Sequence, residues 1–107
     1  QGLLRLGKYL QDRGQQSSGR RYFQAGLTVA EALFTDPYLC TDPQHEGLIL
    51  HSVYHRPNGW DFVPAGRRGP CGEACQWGDY HLRELALHVQ RLADGGTYDT
   101  FFGPEVS

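Results

Sequence analysis

One segment constrains the fold of this chain more than any other: from Ser18 to Phe34 the apolar residues form two stripes, where a surface helix needs only one. Phe23, Leu27, Ala30 and Phe34 recur at helical spacing on one side, while Tyr22, Ala25, Val29, Ala32 and Leu33 lie beside and behind them. Such a helix contacts neighbours on more than one face. Ser17 or Ser18 offers an N-cap, and Asp36-Pro37 opposes continuation past Phe34, so the spacing predicts a helix over 18–34.

Leu3, Leu6 and Leu10 mark a shorter helix over 2–12, with Gly14 as its stop. A third helix over 78–93 follows from the buried-face pattern Leu82, Leu85, Ala86, Val89, Leu92 and Ala93, with Asp79 placed to cap its start and Gly95-Gly96 to end it. Between the second and third helices, Leu48-Ile49-Leu50 and Ser52-Val53-Tyr54 favour extended backbone around the turn-forming run Arg56-Pro57-Asn58-Gly59. That order predicts a β-hairpin near 47–63. Tyr98, Phe101 and Phe102 give the tail enough apolar area to dock.

Composition removes several classes. A net charge of -2 with no dense basic face excludes a nucleic-acid footprint. The longest apolar runs are far too short to span a bilayer, so no membrane partner is expected. The chain is long enough for one core, yet it contains no Met and its first apolar stripe begins without a cap, which leads to the expectation that residues 1–107 are one partial domain of a longer protein. The odd cysteine count points to a reducing, cytoplasmic compartment. Cys71 and Cys75, four apart, with His81 hint at zinc, but a structural site needs a fourth ligand from distant Cys40 or a hairpin histidine. No metal and no cofactor is expected.

Two motifs give a sharper indication. The run Tyr54-His55-Arg56-Pro57-Asn58-Gly59 and, downstream, Gly72-Glu73-Ala74-Cys75-Gln76-Trp77-Gly78-Asp79-Tyr80 together resemble the C-terminal signature of the unsaturated glucuronyl hydrolases, glycoside hydrolase family 88. The likeness spans most of the chain and the last quarter or so of a typical family member. It implies a mainly α fold, in which three helices and a hairpin form the C-terminal portion of an (α/α)6 barrel whose missing N-terminal part would cover the second stripe of the 18–34 helix. Some of Phe23, Leu27, Val29 and Phe34 are then expected to stay exposed when only these residues are present. The implied activity is hydration of the C4=C5 double bond in the terminal uronate of a lyase product, which releases the neighbouring sugar by general-acid catalysis. The substrate would be an unsaturated uronyl oligosaccharide. The family's catalytic aspartates belong to parts with no match here, so no catalytic residue is assigned and the chain alone is expected to be inactive.

What this stretch would supply is a wall of the sugar pocket. An aromatic ring offers its face to the C–H side of a pyranose and an imidazole reaches a hydroxyl or carboxylate, which selects Tyr54, His55 and Trp77 as substrate-binding residues. Without the resemblance, a strand tyrosine and a tryptophan at a helix start would be read as core. His51 and His55, four apart on the expected strand, share a face, and one could bind a sugar carboxylate or a metal; Arg67-Arg68 could meet an anionic substrate. His81 and His88 are assigned packing or solvent contact. Two alternatives stand beside this reading: an unsaturated rhamnogalacturonyl hydrolase, similar in fold and reaction, and a non-catalytic, stand-alone helical interaction module.

Overall fold

The computed structural model describes residues 1–98. It is mainly helical, with α1 (Gly2–Asp12), α2 (Gln16–Leu33), a 3-10 turn at Arg56–Asn58 and α3 (Gln76–Ala93). The helices fall where apolar spacing placed them, within two residues at every end. Phe101 and Phe102 of the expected docking tail lie outside the described residues.

Two helix stops follow from glycine chemistry. At the end of α1, the Gly14 N–H donates to Gln11 O and the Gln15 N–H to Leu10 O; at the end of α3, the Gly95 N–H donates to Leu92 O and the Gly96 N–H to Arg91 O. Both arrangements turn the chain through a left-handed residue, Gly14 at φ 81° and Gly95 at φ 75°, where a side chain would be strained. The start of α2 differs from expectation. Gln15, not Ser17 or Ser18, provides the first accepting carbonyl, for the Gly19 N–H, and the Gln16 side chain reaches back to Gln11 O at 2.9 Å.

The chain divides into two compact units, Gln1–Thr28 with the stretch from Leu85 onward, and Val29–Glu84. In the first, α1 and α2 meet through backbone. A methyl group added at Gly7 would sit 2.6 Å from Phe23 N and 2.8 Å from Gly19 O, and one added at Gly19 would sit 2.7 Å from Gly7 O. Glycine at both positions therefore permits a helix approach that any side chain would block. The approach also rotates α1. Leu4, fully buried against Gly26, and Gly7 face inward, while Leu3 and Leu6 of the expected stripe are exposed.

The two stripes of α2 separate clearly. Phe23, Leu27 and Phe34 are half-buried and Ala30 is buried, so the first stripe is the packed one. Tyr22, Ala25, Val29 and Ala32 are exposed, with Val29 the most open of the residues for which an uncovered position was expected. On α3 the buried line is Leu82, Leu85 and His88, with Val89 and Leu92 half-covered; Ala86 and Ala93, expected inside, are exposed.

The second unit corrects the hairpin. Among the described residues no strand forms between Gly47 and Val63, and the single bridge in this region pairs Leu39 with Ile49. The amides a hairpin would use are held elsewhere: Leu50 N–H by Tyr38 O at 2.7 Å and Ser52 N–H by Glu73 O at 3.0 Å. Leu48 and Ile49 donate to Asp79, while Tyr54 and His55 donate to Asp61. Successive N–H groups of a strand point to opposite sides, so two neighbours captured by one carboxylate cannot both lie in a ladder. The turn itself survives as the 3-10 turn at Arg56–Asn58, closed by Gly59.

Candidate functional site

Side chains brought together by the loop between α2 and α3 make the site. Asp79, expected to cap α3, instead lies inside its first turn and accepts from the loop: Oδ1 takes the N–H groups of Leu48 and Ile49 at 3.0 Å each, and Oδ2 takes Leu48 again. These donors are 31 and 30 residues away in sequence, so one carboxylate ties the loop to the helix start. Gly78 keeps that join close, since a methyl group there would be 2.9 Å from Ser52 Oγ. Trp77 is the preceding residue, so this anchor fixes where its indole emerges.

A second carboxylate shapes the other side. Asp61 Oδ1 accepts the Tyr54 N–H and Oδ2 accepts the His55 N–H at 2.8 Å, closing residues 54–61 into a small ring of chain. Inside that ring the His55 imidazole accepts the Asn58 N–H at the start of the 3-10 turn.

The two anchors converge on an aromatic surface. Tyr54 lies 4.8 Å from Trp77, ring centroid to ring centroid, and 5.7 Å from Trp60, against which it is stacked at 29°. His55 packs 4.9 Å from Trp60 at 37° and edge-on to Tyr54. All three residues selected from sequence are thus neighbours, and the structure adds Trp60. Its signal was present in the sequence as an aromatic directly after the Pro-Asn-Gly turn and directly before the anchoring Asp61. Tyr54 is 47% exposed, Trp77 48% and Trp60 60%, so none of these rings is buried as a core ring is. The arrangement presents flat, polarisable faces to solvent, with the imidazole and the phenol as polar edges.

The remaining candidates are dispersed. His51 does not pair with His55: it sits at φ 63°, its Nδ1 accepts the Gly72 N–H at 3.0 Å, and its ring meets Tyr38 edge-on. Arg67 and Arg68 are exposed on a loop. His81 lies 3.1 Å from Glu84, both exposed. Cys40, Cys71 and Cys75 are free thiols, and among the described residues no three His, Cys, Asp or Glu side chains gather as a metal site requires. No described helix is long and apolar enough to cross a membrane.

An open hollow of about 440 Å³ is lined by Asp79 and by residues including His45, Glu46, Glu73 and Cys75. Tyr54, His55, Trp60 and Trp77 take no part in it. Glu46, Glu73 and Asp79 give that hollow an acidic lining. No family model, curated protein or solved structure matches the chain.

Proposed function

We propose that this chain contributes the sugar-binding wall of a glycoside hydrolase that acts on unsaturated uronyl oligosaccharides, hydrating the C4=C5 double bond so that the terminal uronate is released. The observation that carries the reading is the meeting of Tyr54, His55 and Trp77 on one exposed surface, the residues that the motif resemblance selects as substrate contacts. Pyranose C–H faces stack on indole and phenol rings, and the phenol and imidazole can bind sugar hydroxyls or a carboxylate. The proton donor belongs to residues upstream of this chain, in the part of the barrel that would also cover the open stripe of α2. Tyr22 and Val29 on that stripe equally suit the alternative, a helical interaction module.

Turnover of an unsaturated uronyl disaccharide by the full-length protein, followed by loss of the double bond's ultraviolet absorbance, tests the proposal. Trp77→Ala is expected to lower kcat/KM by roughly five-fold or more through lost stacking, about 1–3 kcal/mol, with melting unchanged. Tyr54→Phe keeps the ring and reports whether the hydroxyl binds substrate. Absence of turnover by the full-length protein, or a Trp77→Ala variant that melts early yet works normally once folded, would remove the reading.

A further inference from the structure

We infer that Asp61 is a positioning residue that holds Trp60 against Tyr54 as a further ring of the binding surface. The inference deepens the sugar-wall reading and rests on it for its ligand, but its geometric part stands alone. Tyr54 and His55 donate their consecutive N–H groups to separate oxygens of one carboxylate. Trp60 is joined to Asp61 through the backbone, so the carboxylate that fixes the start of the ring of chain also fixes its end. Tyr54 and Trp60 are thereby stacked at 5.7 Å and His55 and Trp60 at 4.9 Å, although Trp60 is 60% exposed and has little core to hold it.

The chemistry of the anchor is specific. Here the two N–H donors meet different oxygens of the carboxylate, one each. An asparagine in the same place offers one acceptor and turns an NH2 group toward the other donor. A negative charge also strengthens both bonds relative to a neutral acceptor. A preassembled ring surface loses less side-chain freedom on binding, so Asp61 contributes to affinity without touching the sugar.

The test compares Asp61→Asn, Asp61→Glu and Trp60→Ala with the parent full-length protein. Near-ultraviolet circular dichroism reads the ring coupling, far-ultraviolet dichroism the helices, and tryptophan fluorescence titration the affinity for an unsaturated uronyl disaccharide. Asp61→Asn and Trp60→Ala are both expected to lose much of the near-ultraviolet signal with the helical spectrum unchanged, and to bind the disaccharide about ten-fold more weakly. Asp61→Glu, which retains both oxygens, is expected to recover part of each. An Asp61→Asn variant with parental ring signal and parental affinity overturns the inference. If the parent itself does not bind the disaccharide, the sugar-wall reading fails, and the ring signal of Asp61→Asn still decides the positioning role: its loss supports that role and its retention overturns it.

Discussion

The two units hold themselves together in different ways. In the α1–α2 pair the contacts are backbone against backbone, with Gly7 and Gly19 where side chains would otherwise stand, and stability comes from close packing over a short stretch of sequence. In the loop-rich unit, side-chain acceptors reach backbone donors: Asp79 holds Leu48 and Ile49, Asp61 holds Tyr54 and His55, and His51 holds Gly72. The difference teaches how a long non-helical stretch can be ordered without a sheet. Each carboxylate satisfies two neighbouring amides at once, so these N–H groups are paired without a facing strand. It also leaves the rings between the anchors free to face solvent.

That comparison can be broken most severely at Asp79. Asp79→Ala strands two half-buried amides and is expected to cost about 3 kcal/mol, read as a lowered melting temperature and fast hydrogen exchange at Leu48 and Ile49. Asp79→Asn sharpens it: Oδ1 accepts from both amides, so an asparagine oxygen can keep both bonds while its NH2 group meets the Leu48 N–H that Oδ2 also accepted, and the loss is expected to be smaller than that of alanine. Asp61→Asn, where the load is divided between two oxygens, has no such refuge. Equal losses in the two asparagine variants would refute this account of the anchors.

Next in size is Gly7→Ala, in which the new methyl group overlaps Phe23 and Gly19 backbone and forces α1 and α2 apart. A cost of about 2 kcal/mol is expected, and exchange at Leu48 and Ile49 should rise no more than that global loss requires. A variant as stable as the parent would show that the helices are not held by close approach.

At His51 the two variants differ by backbone alone. Both His51→Ala and His51→Gly remove the acceptor for Gly72, but only glycine relieves the left-handed φ of 63°, so the glycine variant is expected to melt higher, by about 1 kcal/mol in stability.

The smallest effect is at Tyr98, whose hydroxyl donates to Asp12 Oδ2 at 3.3 Å. Partial burial, followed by the Asp12 carboxylate, raises the phenol above its ordinary range. Because the folded state favours the protonated phenol, this contribution is present at neutral pH and disappears as pH rises through the raised value. The pair is solvent-exposed, so Tyr98→Phe is expected to change stability by less than about 0.5 kcal/mol at neutral pH. A large loss in a denaturant melt would contradict that.

Helix positions were legible because apolar spacing and glycine stops are local properties. Leu82 and Leu85 on α3, Ala30 on α2, and the turns at Gly14 and Gly95 needed no knowledge of the rest of the chain. The inward face of α1 was not legible from apolar spacing, because a glycine contributes nothing to a hydrophobic stripe yet sets which face can come close. Leu3 and Leu6 satisfied the pattern, but Gly7 decided the packing.

The site divides along the same line. The motif resemblance selected Tyr54, His55 and Trp77, and the β-favouring runs that flank Pro57-Asn58-Gly59 argued for a hairpin. Extended propensity specifies a backbone preference without specifying a partner. Only the tertiary structure assigned the partners, giving consecutive amides to Asp61 and Asp79 rather than to a facing strand, and that choice brought Trp60 onto Tyr54 and the three selected residues onto one surface. The physical reason is reach: helix periodicity acts over a single turn, whereas the hydrogen bonds of Asp79 join residues 30 and 31 positions apart, a distance over which sequence spacing carries no directional information.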